Sequence, residues 1–213
     1  GLAHFLEHML FLGTEKYPED TAFNEFLSSH GGSSNAYTGS SSTNYHFEVM
    51  ADYFEEGLDR FSQFFTAPLF NPNAVEREIH AVDSEDQKNK QSDGHRFYQL
   101  QKSSCNPEHP FHKFSVGNLQ TLHHIPLQKG IDIRAELLKF HETYYSASCM
   151  ALAVLGKEPL DTLENWVRTK FSNIRNNGRK PLFQIAPETQ QTLERDGTIY
   201  PFGPNEKGFL YKI

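Results

Sequence analysis

The sequence predicts an α+β domain. Several stretches repeat apolar residues at helical spacing, residues 44–50 alternate apolar and polar side chains, and a glycine–serine tip precedes that alternation. With 213 residues, 18 Phe and 9 Tyr, the chain can bury one real core.

A first helix is expected over about residues 2–12, closing near Gly13, and a second over 21–30 through Phe23, Phe26 and Leu27. Gly31-Gly32 breaks the second. Residues 35–38 and 44–50 then form a hairpin around Gly39-Ser40-Ser41-Ser42, with Tyr45, Phe47 and Val49 on one face and Asn44, His46 and Glu48 on the other. The glycine–serine run lacks a Walker lysine and G-x-G-x-x-G spacing, so it reads as a hairpin tip, not a phosphate cradle. Residues 52–66 place Phe54, Leu58, Phe61 and Phe65 inward. Asn71-Pro72 is a helix start, since Asn caps and proline suits the first turn. That helix carries Val75, Ile79 and Val82 as its apolar stripe and runs on brokenly to about Ser104, bending at Gly94. A loop over 106–117, a helix over 131–145, a buried strand over 149–155 and a helix over 160–171 follow. Polar residues 173–194, with Pro181 and Pro187, read as a linker.

Within the first helix, His4, Glu7 and His8 spell H-x-x-E-H. Residues four apart share one side of a helix, so both imidazoles can reach one metal ion, and Glu7 lies beside the position a water would take. The same spacing also fits an amphipathic helix with two histidines on its polar face. A catalytic zinc needs a third protein ligand, and the helix after Asn71 is the best source. Glu78 and Glu85, two turns apart on one face with Ala81 and Val82 between them, could serve as supporting group and ligand, or could belong to a solvated acidic face. His80 and Glu76 point elsewhere. His109, His112, His123 and His124 have no matched carboxylate and read as structural.

These residues resemble the pitrilysin/insulinase family of zinc peptidases, whose motif inverts the H-E-x-x-H helix. The resemblance extends through His8-Met9-Leu10-Phe11-Leu12-Gly13-Thr14, Gly32-Ser33-Ser34-Asn35-Ala36-Tyr37-Thr38, Ala81-Val82-Asp83-Ser84-Glu85 and Glu136-Leu137-Leu138-Lys139-Phe140-His141, covering about residues 1–174. It implies a fold of antiparallel sheet with helices packed on one face. It implies one Zn2+ per catalytic domain, held by His4, His8 and Glu85, with Glu7 as general base and Glu78 supporting a ligating imidazole. It also implies an edge strand at Asn35, Ala36 and Tyr37 that pairs with an extended peptide substrate. Leu6 stands where the family often has cysteine, so thiol sensitivity traced to that position is not expected. An arginine and a tyrosine that the family draws from its C-terminal half have no counterpart here.

The expected activity is therefore zinc-dependent endopeptidase cleavage of short or unfolded peptides. The alternative is a non-catalytic, structural or peptide-binding relative, which typically loses motif residues; all five are present here. The expected organisation is a catalytic domain over 1–174, a linker over 175–194 and the opening of a second, similar domain over 195–213. The chain starts at the metal helix without Met and ends in what reads as an opening strand. It is expected to be a piece of a longer protein, inactive alone, whose partners are peptides and its own C-terminal half, with a homo-oligomer as a further arrangement.

A formal net charge of −7 and a pI near 5.9 argue against nucleic-acid binding. No run approaches the ~20 apolar residues of a membrane span. Cys105 and Cys149, without C-x-x-C spacing, fit a reduced compartment, and the cytoplasm is the expected location.

Overall fold

The computed structural model describes residues 1–180 and the backbone of two short paired strands beyond them. Helix α1 (Leu2–Leu10) is followed by α2 (Ala22–Ser29) and by the antiparallel pair β1 (Ser33–Thr38) and β2 (Thr43–Glu48), in register from Ser33 opposite Glu48 to Thr38 opposite Thr43. Helices α3 (Phe54–Thr66), α4 (Pro72–Asn89) and α5 (Asp93–Ser103) come next. A short α6 (Ile125–Gln128), then α7 (Ile133–Tyr144) and α8 (Leu160–Phe171), complete the helical part. The two-residue strands β3 (Glu194–Arg195) and β4 (Thr198–Ile199) pair with each other.

α1 is the centre of the fold. Phe5, Leu6, Met9 and Leu10 are fully buried, and α1 touches α4, α7 and the hairpin. Fully burying side chains of this size stabilises by roughly 1.5–3 kcal/mol each. The helix ends at Leu10, and the chain turns away at Gly13, which takes φ +81; a Cβ there would lie 2.6 Å from the Pro18 carbonyl oxygen. The hairpin alternates as the sequence predicts: Tyr45 and Phe47 turn to the core, where Phe47 meets Phe23 and Phe61, while Asn44 and His46 face out. One face of the sheet is therefore covered by helices and the other is open, the expected α+β arrangement.

α4 begins as its sequence dictates, with Pro72 in the first turn and the Asn71 side chain accepting from the Asn73 N–H. α7 starts equally clearly, the Asp132 carboxylate accepting from the Arg134 and Ala135 N–H groups. The break after α4 falls at residues 90–92, and Gly94 lies inside the first turn of α5, not at the bend. In α3, Leu58, Phe61 and Phe64 are the buried stripe, whereas Phe54 and Phe65 are half-buried.

One expected element is missing. Residues 149–155 are not a strand: Cys149 closes a 3-10 turn over Ala147–Cys149, residues 150–155 form no regular element, and Leu155 is 94% exposed. An apolar run becomes a strand only where another strand satisfies its backbone, and the described residues offer none. The linker expectation over 175–194 is described only in its first residues. There, the Arg175 carbonyl accepts from the Ala147 N–H, and the Asn177 N–H donates to Ser146 Oγ, tying that stretch to the end of α7. Residues 181–193 lie outside the described part, and Glu194, the last of the expected linker, opens β3.

Candidate metal centre

α1 and α4 pack so that His4, His8 and Glu85 converge. His4 Nε2 lies 3.3 Å from His8 Nε2, and Glu85 Oε2 lies 3.5 Å from His4 Nε2 and 3.6 Å from His8 Nε2. Ligand atoms held at 2.0–2.1 Å in a tetrahedral zinc site stand about 3.3–3.5 Å apart. The donor spacing is that of such a site.

The other ring nitrogens decide what the convergence means. His4 Nδ1 lies 2.7 Å from the Val116 carbonyl oxygen, and His8 Nδ1 lies 2.7 Å from Glu78 Oε1. Both partners accept, so both Nδ1 atoms carry the hydrogen. Each Nε2 then presents a lone pair toward the other and toward the Glu85 carboxylate. Three acceptors facing one point call for a cation. A proton on His8 is the other way to relieve them. Burial works to lower the His8 pKa, but hydrogen bonds to Glu78 and Glu85 and their charges outweigh it, raising it to about 9. The Glu85 carboxyl is held below its usual range by its hydrogen bond to His8, against partial burial.

Val116 reaches His4 through a turn that needs glycine. Gly117 takes φ +89, and a Cβ on it would press to 2.8 Å on Leu122 Cδ1. This carbonyl had no sequence signal, because it comes from a loop 112 residues from His4. Of the residues between the two glutamates, Val82 is fully buried and Ala81 is exposed, so only one side of that face is dry.

Glu7 sits beside the cluster with 7% of its surface exposed, its Oε2 accepting from the Thr38 hydroxyl at the end of β1. Both groups border a groove of about 960 Å³ that also takes in His4, His8, Glu85, Asn35, Ala36 and Tyr37. Tyr37 is 60% exposed there. Among the described residues, β1 pairs with β2 on one side only. The Ala36 N–H is accepted by the neighbouring Asn35 Oδ1 at 2.9 Å, so it points away from β2. Asp86, next to Glu85, is buried and held by Lys90 Nζ at 2.6 Å and Asn118 Nδ2 at 3.1 Å, which keeps it away from the donor cluster. His109 accepts from the Phe111 N–H and His112 Nδ1 lies 3.2 Å from the Cys105 carbonyl oxygen, so both do local structural work.

Residues 1–108 match the sequence profile of the insulinase family, peptidase family M16. The chain belongs to that family. In this M16 chain, residues 132–207 further match the profile described as the peptidase M16 inactive domain. It is 53% identical over 197 residues to the A-factor-processing enzyme of Saccharomyces cerevisiae, covering 91% of this chain and 19% of that protein. It is 54% identical over 195 residues to the insulin-degrading enzyme-like 1, peroxisomal, of Arabidopsis thaliana, covering 91% of this chain and 20% of that protein. The crystal structure of pitrilysin superposes with a TM-score of 0.80 at 38% identity, over 85% of this chain and 19% of that one. The M16 chain thus spans about a fifth of the length of the relatives it matches.

Proposed function

We propose that this chain carries the metal-binding part of a zinc-dependent endopeptidase acting on short or unfolded peptides. The observation that carries this reading is the convergence of His4 Nε2, His8 Nε2 and Glu85 Oε2, with both Nδ1 atoms already committed to other acceptors. Two imidazoles and one carboxylate suit zinc and leave a fourth position open. Zinc, when bound, polarises a carbonyl and lowers the pKa of a coordinated water toward ~7.

The chain's own residues supply the rest. Glu7 accepts the proton of the attacking water and returns it to the leaving amine. Glu78 holds the His8 ring in its Nδ1–H tautomer and raises the basicity of Nε2. Asn35, Ala36 and Tyr37 offer the outward edge of β1 to an extended peptide, which would add as a strand. Recognition through backbone groups explains how one groove accepts many sequences, and the names of the A-factor-processing enzyme of yeast and of the insulin-degrading enzyme of Bos taurus, 51% identical over 202 residues, are in keeping with peptide substrates.

The division we propose places residues 1–174 in one catalytic unit. Although the second family profile begins at residue 132, α7 packs on α1 and its Leu137 is fully buried in the same core. The linker over 175–194 and a second domain from 195 belong to the same proposal, as does a C-terminal half that completes the site. No helix among the described residues is long and apolar enough to cross a membrane. The cytoplasm remains our proposed location, with an organelle the alternative in view of the peroxisomal name of the Arabidopsis relative.

Glu7→Gln in a full-length protein carrying this chain tests the reading. Zinc content should stay at the parent level while peptide turnover falls by ~10²-fold or more. Unchanged cleavage would remove Glu7 from the base role.

A further inference from the structure

We propose that Lys102, on the groove wall formed by α5, is a carboxylate subsite, so that the peptides this groove takes best carry an acidic group at one fixed position. The inference rests on the reading of the groove as a peptide site and deepens it by naming the chemical class of peptide.

Lys102 lines the groove and is 4% exposed, and no other lysine or arginine among the described residues is buried. A buried ammonium ordinarily has an oxygen partner, because leaving a desolvated charge unmatched is costly. Lys102 Nζ makes no hydrogen bond or ion pair with any described residue. It sits instead against two ring faces, 4.6 Å from the centre of Phe111 and 5.4 Å from that of Tyr98. The two rings hold each other edge to face at 5.7 Å, which fixes the niche. Ring faces attract a cation, but they leave the three ammonium hydrogens without an oxygen acceptor. Burial lowers the pKa of Lys102, with the neighbouring Cys105 acting in the opposite direction. An arriving anion would relieve that cost.

The other charges of the groove are already matched. Lys90 pairs with Asp86 at 2.6 Å and Arg96 with Asp93 at 3.1 Å. Among the groove's carboxylates, Glu85 belongs to the donor cluster, Glu7 accepts from Thr38, and Asp86 is held by Lys90 and Asn118. Lys102 is therefore the groove lysine left for a ligand, and a peptide brings carboxylates as its anions. The ammonium is a point charge that takes a carboxylate without the fixed fork of arginine. Lys102 borders the same groove as Asn35, Ala36 and Tyr37 of β1. A peptide added to β1 sends successive side chains to opposite faces, so a fixed cation meets one position and not its neighbours.

The test uses a full-length protein carrying this chain, with Lys102→Met and Lys102→Arg alongside. The probes are one fluorogenic peptide in which Gln is exchanged for Glu at a single position at a time, each made as C-terminal acid and as amide. Cleavage gives kcat/KM, and fluorescence anisotropy with chelator-treated protein gives Kd without turnover. In the parent, one Glu position, or the C-terminal acid over its amide, should be favoured ~10–100-fold over the neutral counterpart. Lys102→Met should bring that ratio to about 1, and Lys102→Arg should keep most of it; Lys102→Gln replaces the methionine variant if that one does not fold. Which pair of peptides carries the ratio tells an acidic side chain from a peptide C-terminus. A parent without preference for the acid, or a preference that survives loss of the ammonium, overturns the proposal. So does a small gain spread over every position and removed by salt, the mark of a diffuse field. If the zinc-loaded parent cleaves none of the peptides, the endopeptidase reading fails, and the Kd ratio still decides the subsite.

Discussion

Glu78 Oε1 lies 2.7 Å from His8 Nδ1 and thereby turns His8 Nε2 toward His4 and Glu85. The side chain of Glu78 is 16% exposed, so this contact is only partly screened by solvent. It does more than hold a ring in place: it selects the tautomer whose free nitrogen can bind a metal.

Glu78→Ala should therefore weaken zinc binding ~10–100-fold without disturbing α4, whose core residues Val75, Ile79 and Val82 are untouched. Competition against a chromophoric chelator measures the change. Parental affinity in the variant would remove Glu78 from its supporting role.

The outward N–H of Ala36 gives a second prediction. Because that hydrogen is bonded to Asn35 Oδ1 and not to β2, Ala36→Pro deletes it while sparing the ladder. KM for peptide substrates should rise ~10-fold, corresponding to about 1.4 kcal/mol, with zinc content unchanged. A parental KM would mean that the edge of β1 does not pair with substrate through this group.

His141 makes stability depend on pH. Burial, aided by the Arg175 charge, lowers its pKa to about 4, and its Nε2 is buried without a partner. The folded value lies below the unfolded one of about 6.5, so the unfolded chain takes up the proton first. This contribution is fully present above pH ~6.5 and is lost as pH falls toward ~4, about 3 kcal/mol in all. Thermal unfolding between pH 4.5 and 7 should show that slope, and His141→Phe, stacked between Phe70 and Tyr145, should flatten it. An equal slope in the variant would assign it to other groups.

What the sequence made legible was local. His4, Glu7 and His8 share a helix turn, Asn71-Pro72 announces α4, and the alternation through Tyr45 and Phe47 announces β2, because each depends only on near neighbours. Glu85 could be read as a ligand only with the family resemblance, since its partners lie a whole chain segment away. The Val116 carbonyl, Thr38 as the donor to Glu7 and the Tyr45–Tyr145 pair were not legible, because only tertiary packing brings them in from 112, 31 and 100 residues away. The segment 149–155 misled for the same reason. Its residues suit a strand, but strand formation is a property of the neighbour as much as of the segment.

The most direct test of the metal centre is zinc per chain in a purified full-length protein, with Glu85→Ala alongside. The account predicts about one zinc in the parent site and a clear loss in the variant, with Tm lowered by chelator only in the parent. A folded parent without zinc at this site, or a Glu85→Ala variant that keeps it, would contradict a centre built from His4, His8 and Glu85.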